Sequence, residues 1–401
     1  MSRTVLNCGY VPLVDSAPLI IARELGFAAE EGLDLNLVQQ PSWSALRDML
    51  ALGLLDAAQM LSPMPVAMSL GLGGLPAKID NLMGLSANGT VFGVSTKLAD
   101  TLGVVPFGDP NRLLAGLMTH APPSLRVGVP FPFSMHRLLL SYWIASAPDL
   151  KVEIVTVPPP RMADAVAAGH IDAFWVGEPW GSAIVGRGVG SILMAGRHVW
   201  GFAPEKVLAA RHDWIADNPD TTRHLMRAVY QSARWLDLEK NKPLAIEILG
   251  RSEHLNLAHE LIEPAVTGFL TQSQGGTPTR VDRFLMFHNY AVSFPWRSQA
   301  AWIAGQLGAD ATGIGRAKQC FRTDLYRDNL GPIGADLPGA SEKVEGTMRE
   351  ETAVVSSRGQ MILAPDAFFD GRTFDFTSSA DEKLSVSADQ QFFDAAVQKN
   401  S

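Results

Sequence analysis

The sequence predicts an α/β protein of two Rossmann-like lobes with a ligand cleft between them. Three observations carry that expectation. Strand-like and helix-like segments alternate over the first hundred residues, and the same order returns after residue 125. A short signature recurs at the same place in both copies, once as Gly53-Leu54-Leu55-Asp56-Ala57 and again as Gly169-His170-Ile171-Asp172-Ala173. Glycine suits a left-handed helix end, the aliphatic residue enters the core, and alanine allows close strand packing.

In the first copy, residues 4–10 read as a strand. A loop with Asp15 and Ser16 follows, and Pro18 stands near a helix start, where its missing N–H costs nothing. That helix is expected to run to about residue 31 and to stop at Gly32. Leu33, Leu35 and Leu37 alternate with Asp34, Asn36 and Val38, the period of a half-buried strand. Pro41-Ser42-Trp43 make a turn, residues 44–52 a helix ended by Gly53, and residues 56–60 a strand. The second copy repeats this with a strand at 125–129, a loop at 130–134, a helix at 135–145 and a strand at 152–157. A Pro158-Pro159-Pro160 turn, a helix at 161–168 and a strand at 171–176 complete it. The alternative is two similar αβ units inside one sheet.

Lobe 1 is expected to span 1–88, lobe 2 to span 89–200, and the chain to return to lobe 1 over a mainly helical stretch, 201–330. Asp213 and Asn218-Pro219 read as helix starts there. The tail from Gly331 is richer in Gly, Ser, Asp and Pro. It is expected to pack on the lobes as an extension, 331–401, with a turn at 368–372 and the final fifteen or so residues loosely held.

The chain has 401 residues, 47% hydrophobic and 18% charged, which suffices for two real cores. A net charge of −8 argues against a nucleic-acid-coating surface and leaves a small anionic ligand open, because a buried site sets its own potential. Cys8 and Cys320 are far apart and in no zinc or CxxC spacing, so they read as ordinary buried thiols. The start, Met1-Ser2-Arg3-Thr4, runs straight into strand-like residues without a basic region and apolar leader, which predicts a cytoplasmic protein. The most apolar long stretch, 50–77, holds Asp56, Gln59 and three prolines and is a poor membrane span.

No phosphate loop and no GxSxG elbow occurs, and His259-Glu260 begins an HExxH-like string that ends on Glu263. No acidic pair stands out as an acid/base couple. An enzyme is therefore not expected, nor a cofactor or metal. A small planar anion needs donors, positive charge and exclusion of water. Ligands of open α/β sheets sit beyond the carboxyl ends of strands, near helix N-termini, which directs attention to 12–16, 41–44, 131–136 and 177–180. Lys206 lies in a largely apolar segment at a lobe crossover, although most single lysines are simply solvated. His136 falls in the first turn of a helix capped by Ser134. Trp43 opens a helix and either packs or closes the pocket with its indole N–H. Gly177 permits backbone approach, and Glu178 reads as a structural or lysine-pairing residue.

These residues resemble a known family, the nitrate-binding proteins of ABC transporters and their bicarbonate-binding relatives. The likeness rests on residues 9–19, Ser42-Trp43 with Arg47-Asp48, residues 61–65, Asn88-Gly89 and His136 with Tyr142-Trp143. It continues through residues 157–160, residues 176–180, Pro204-Glu205-Lys206 and an FDGR-FDF patch at 369–376. The resemblance implies a type II periplasmic-binding-protein-like fold, with anion contacts on Trp43, His136, Gly177 and Lys206. The family typically places glutamine after Asn-Gly; Thr90 stands there instead, a shorter side chain with one donor. Lacking a leader, the chain is similar to NasS-type cytoplasmic nitrate/nitrite sensors. That implies a partner, a NasT-like RNA-binding antiterminator, released when nitrate or nitrite binds. The alternatives are an exported receptor for nitrate or bicarbonate, and an enzyme on the same fold.

Overall fold

The computed structural model describes residues 3–376. Its chain forms two main sheets. The first contains β1 (Thr4–Tyr10), β2 (Leu33–Gln39), β3 (Ala57–Leu61) and β4 (Ile79–Asn88). The second contains β5 (Thr90–Ser95), β6 (Leu125–Val129), β7 (Val152–Thr156), β8 (Ala173–Gly177) and β9 (Gly190–Ala195), after which β10 (Pro204–Arg211) returns to the first. The spatial orders are β2-β1-β3-β10-β4, with the short strand Leu285–Met286 beyond β4, and β7-β6-β8-β5-β9. Each is a parallel βαβαβ unit followed by one antiparallel strand supplied from the other side of a crossover. The two sheets therefore share one topology, and the single-sheet alternative is excluded.

The recurring signature has an atomic basis. Asp56 N–H donates to Asn7 O at 2.9 Å, and Asp56 Oδ2 accepts from Asn7 N–H at 2.8 Å. In the second copy Asp172 N–H donates to Arg126 O at 2.8 Å, and its Oδ2 accepts from Arg126 N–H at 3.0 Å. Each aspartate thus docks the third strand of its unit onto the first, just after a glycine at positive φ, 76° for Gly53 and 67° for Gly169.

Two helices of the first unit differ from expectation. The first helix is Ala17–Glu24, and a separate turn of helix, Phe27–Glu30, follows. Gly26, at φ 81°, breaks the run earlier than Gly32 does. The helix of the first unit begins at Trp43 rather than 44, because Ser42 caps it and accepts from Ala45 N–H at 3.2 Å. Within the apolar stretch, Pro63 and Pro65 sit in the first turn of a short helix, Pro63–Ser69, where proline is tolerated. Among the described residues no helix is long and apolar enough to cross a membrane.

The two crossovers are tied together by one side chain. Asn88 sits at φ 62° between β4 and β5; its Oδ1 accepts from Ala203 N–H at 3.0 Å, and its Nδ2 donates to Gly201 O at 3.1 Å. Residues 331–376 lie across this region. Phe368 stacks on Trp200 of the second crossover, with ring centroids 4.8 Å apart. Tyr142, on the second unit's helix Met135–Ile144, donates to Asp370 at 2.8 Å. Lys343 pairs with Glu345 and Asp366, and Glu345 accepts from Ser298 at 2.7 Å, on the helix Arg297–Gln306. The 368–372 turn is closed by Gly371 N–H on Phe368 O at 3.0 Å. The expectation for the final fifteen residues falls outside the described chain.

Candidate functional site

The segments that face each other between the sheets are the loop after β1, the end of β8 and the start of β10. Two direct bonds join them: Val14 N–H donates to Glu178 O at 3.0 Å, and Trp180 Nε1–H donates to Pro12 O at 3.0 Å. Behind these bonds lies a buried polar cluster.

At its centre is Lys206, fully buried, with Nζ 2.7 Å from Asp15 Oδ2 and 2.7 Å from Glu205 Oε1. Consecutive residues of a regular strand point to opposite faces. Glu205 and Lys206 reach one cluster because the pairing of β10 with β4 shifts register on both sides of Lys206, a bulge that re-aims side chains. The bulge is held by Ser62, whose N–H donates to Glu205 O at 3.0 Å and whose hydroxyl donates to Pro204 O at 2.9 Å. Asp15 is fixed by Gln59 Nε2, which donates to Oδ1 at 2.6 Å.

Three further groups border this cluster from both sides of the cleft. The Trp43 ring centroid lies 5.3 Å from Lys206 Nζ, and the Trp43 indole N–H is buried without a hydrogen-bond partner. His136 comes from the second unit, one residue into a helix capped by Ser134, whose hydroxyl accepts from Arg137 N–H at 3.2 Å. Its Nδ1 lies 3.5 Å from Glu205 Oε1, and neither ring nitrogen has a hydrogen-bond partner. Gly177 ends β8 beside them; a Cβ there would sit 3.7 Å from His136 Nε2, 3.9 Å from Asp15 Oδ2 and only 2.7 Å from Leu13 Cδ2. Glycine keeps that approach open.

Charge in this cluster is set by burial. Desolvation pushes the Glu205 carboxyl up to about 7, against the pull of Lys206 and with the help of Asp15. Burial raises Asp15 as well, opposed by Lys206 and Gln59. Burial alone disfavours the Lys206 charge, but the two carboxylates outweigh it, so the ammonium stays protonated. Burial and then Lys206 hold His136 well below its usual value. The His136–Glu205 contact is therefore not an ion pair; the imidazole is neutral and offers one N–H.

The structure thus brings Trp43, His136, Gly177 and Lys206 together. Thr90 stands opposite Gly177 in the ladder, and its hydroxyl oxygen accepts from Trp175 Nε1 at 3.0 Å, which binds it into the wall of the second unit. Glu178 does not pair with the lysine. Its Oε2 accepts from Ser182 N–H at 3.0 Å, and burial pushes its carboxyl up to about 7. Sequence reasoning did not place Asp15 and Glu205 in the site: they are 190 positions apart in the chain but share one ammonium. The adjacency of Glu205 to Lys206 was visible, but a regular strand would have separated them.

The model of the NMT1-like family matches residues 2–250. The chain belongs to that family. The nitrate/nitrite binding protein NrtA of Nostoc sp. is 30% identical over 94% of this chain and 84% of its own length. The bicarbonate-binding protein CmpA of Synechococcus sp. is 30% identical, covering 84% of this chain and 81% of its own. The nitrate import ATP-binding protein NrtC of Synechocystis sp. is 35% identical over 77% of this chain, which spans 46% of that longer protein. The crystal structure of the periplasmic nitrate-binding protein NrtA from Synechocystis superposes with TM-score 0.79 at 27% identity, covering 93% of this chain and 96% of that one. The fold is that of the periplasmic binding proteins.

Proposed function

We propose that this protein binds nitrate or nitrite between its lobes, with Trp43 and Lys206 on one side and His136 and the Gly177 backbone on the other. The observation that carries this reading is a set of buried donors around one cluster: the unpartnered Trp43 indole beside Lys206, the unpartnered His136 imidazole beside Glu205, and the third N–H of Lys206. A planar oxyanion can accept from all three at once. Charge-assisted hydrogen bonds contribute about 1.5–3 kcal/mol each, so three or four of them support an affinity near micromolar, about −8 kcal/mol, after the costs of association. The names of the NrtA and CmpA relatives support an anion of this size.

The role built on that binding is proposed to be a cytoplasmic sensor that holds a NasT-like RNA-binding antiterminator and releases it when the anion bridges the lobes. Bridging favours the closed form, and a partner that prefers the open form is expelled to the extent of that differential affinity. The reading rests on the resemblance to NasS-type sensors. A substrate-binding role for an ABC importer fits the same cleft, and the transporter relatives favour it. Calorimetric titration with nitrate, nitrite and bicarbonate tests the site. Adding the anion to a preformed complex with a NasT-like protein tests the role: release by nitrate or nitrite supports the sensor, and failure to form any complex favours transport.

A further inference from the structure

We infer that nitrate binding at this site is coupled to uptake of one proton, held by Glu205. The inference rests on the anion-site reading and deepens it. One ammonium, Lys206, lies 2.7 Å from each of two carboxyl groups, and all three are buried. With both carboxylates ionised the cluster already carries one net negative charge. A monovalent anion placed against Lys206 would make it doubly negative in a site closed to water, an arrangement proteins avoid by protonating a group. Nitrate has no proton of its own to bring.

Every charged or titratable group facing Glu205 enters this count. Lys206 comes from the same strand, Asp15 from the loop after β1, and His136 from the helix Met135–Ile144. Glu178 is turned away onto Ser182 N–H. Of the two carboxyls on Lys206, Asp15 has a second fixed donor, Gln59 at 2.6 Å, which favours its ionised form. Glu205 has instead the His136 imidazole at 3.5 Å. The proton therefore goes to Glu205, and desolvation has already drawn that carboxyl up to about 7. A protonated Glu205 also gains an O–H that can donate to the anion. Bicarbonate, which carries its own hydroxyl, could be held by the ionised form instead.

The sign follows directly. The complex holds a proton that the free protein loses above about pH 7, so nitrate binds more tightly as pH falls. Above pH 7 the affinity drops by about tenfold per pH unit, and below pH 6 it levels off. Calorimetry with sodium nitrate, in two buffers of different ionisation enthalpy, counts the protons. The expected result is about one proton taken up per nitrate at pH 8 and close to none at pH 6. Glu205→Gln mimics the protonated carboxyl; it is expected to abolish the uptake and raise nitrate affinity at pH 8 by about tenfold. Nitrate binding at pH 8 with no uptake overturns the coupling and leaves the anion site standing. Uptake that persists in Glu205→Gln overturns the assignment to Glu205. No nitrate binding at either pH overturns the anion site itself, and the coupling with it. The wild-type proton count decides the coupling without any variant.

Discussion

Lys206 holds two buried carboxyl groups apart. Its removal leaves Asp15 and Glu205 facing each other without a counter-charge, a defect that costs about 3–5 kcal/mol. Lys206→Ala is expected to lower the urea midpoint accordingly and to abolish nitrate binding; adding Asp15→Asn should recover part of the stability and none of the binding. Trp43 separates packing from donation more cleanly. Trp43→Phe keeps a ring beside the ammonium and deletes only the indole N–H. Nitrate affinity should fall about tenfold, the loss of one charge-assisted bond, with little change in melting temperature. At this scale the sequence exposed the donors and hid the acids. Trp43 and His136 stand next to turn and cap signals, and Lys206 in an apolar crossover segment, all of which can be read locally. Asp15 becomes a partner only through the fold, and Glu205 only through a bulge that no periodicity announces.

The two docking aspartates illustrate the scale of elements. Asp56 and Asp172 each exchange two bonds with the first strand of their unit, and Asp172 also accepts from the Arg126 guanidinium at 2.8 and 2.9 Å. Replacing either by alanine strands a backbone N–H at a strand junction and should cost about 1–3 kcal/mol in denaturant unfolding. The expected order is Asp172→Ala above Asp56→Ala, because only the former loses the guanidinium contact. This repeat was the most legible part of the chain, since a turn glycine, a buried aliphatic and a docking acid are all local requirements. The first helix was less so. Proline at its start and Gly32 at its end framed a single run, but Gly26 at φ 81° splits it, and a lone glycine inside a helical pattern does not declare which side of zero its φ takes.

For the whole molecule, the crossovers and the segment 331–376 decide how the lobes are held. Phe368 stacks on Trp200 and lies 5.8 Å from Trp302 and 5.3 Å from Tyr142. Phe368→Ala should therefore destabilise by about 3–5 kcal/mol, the cost of emptying a buried aromatic site, read as a lower melting temperature. Stability should also depend on pH. Glu178 and Glu205 are both pushed from 4.5 up to about 7 by burial. A carboxyl with a raised folded pKa favours the folded state fully below its unfolded pKa, and that stability is lost as pH rises through the folded value. His136, His198, His254 and His288, all lowered by burial, act oppositely, because their unfolded forms still take protons up to about one pH unit above 6.5. Glu178→Gln removes one of the two raised carboxyls, so between pH 6.5 and 8 the melting temperature of the anion-free variant should fall less, or rise more, than that of the unchanged protein. The packing of the tail was not legible beyond its aromatic patch, because its partners lie on three separate elements.

One anion is proposed to join the lobes at Lys206. A crystal structure of the protein grown with nitrate tests it most directly. Nitrate is expected within hydrogen-bond reach of Trp43 Nε1, Lys206 Nζ and a His136 ring nitrogen at once. Nitrate bound elsewhere, or contacting residues of only one lobe, would contradict it.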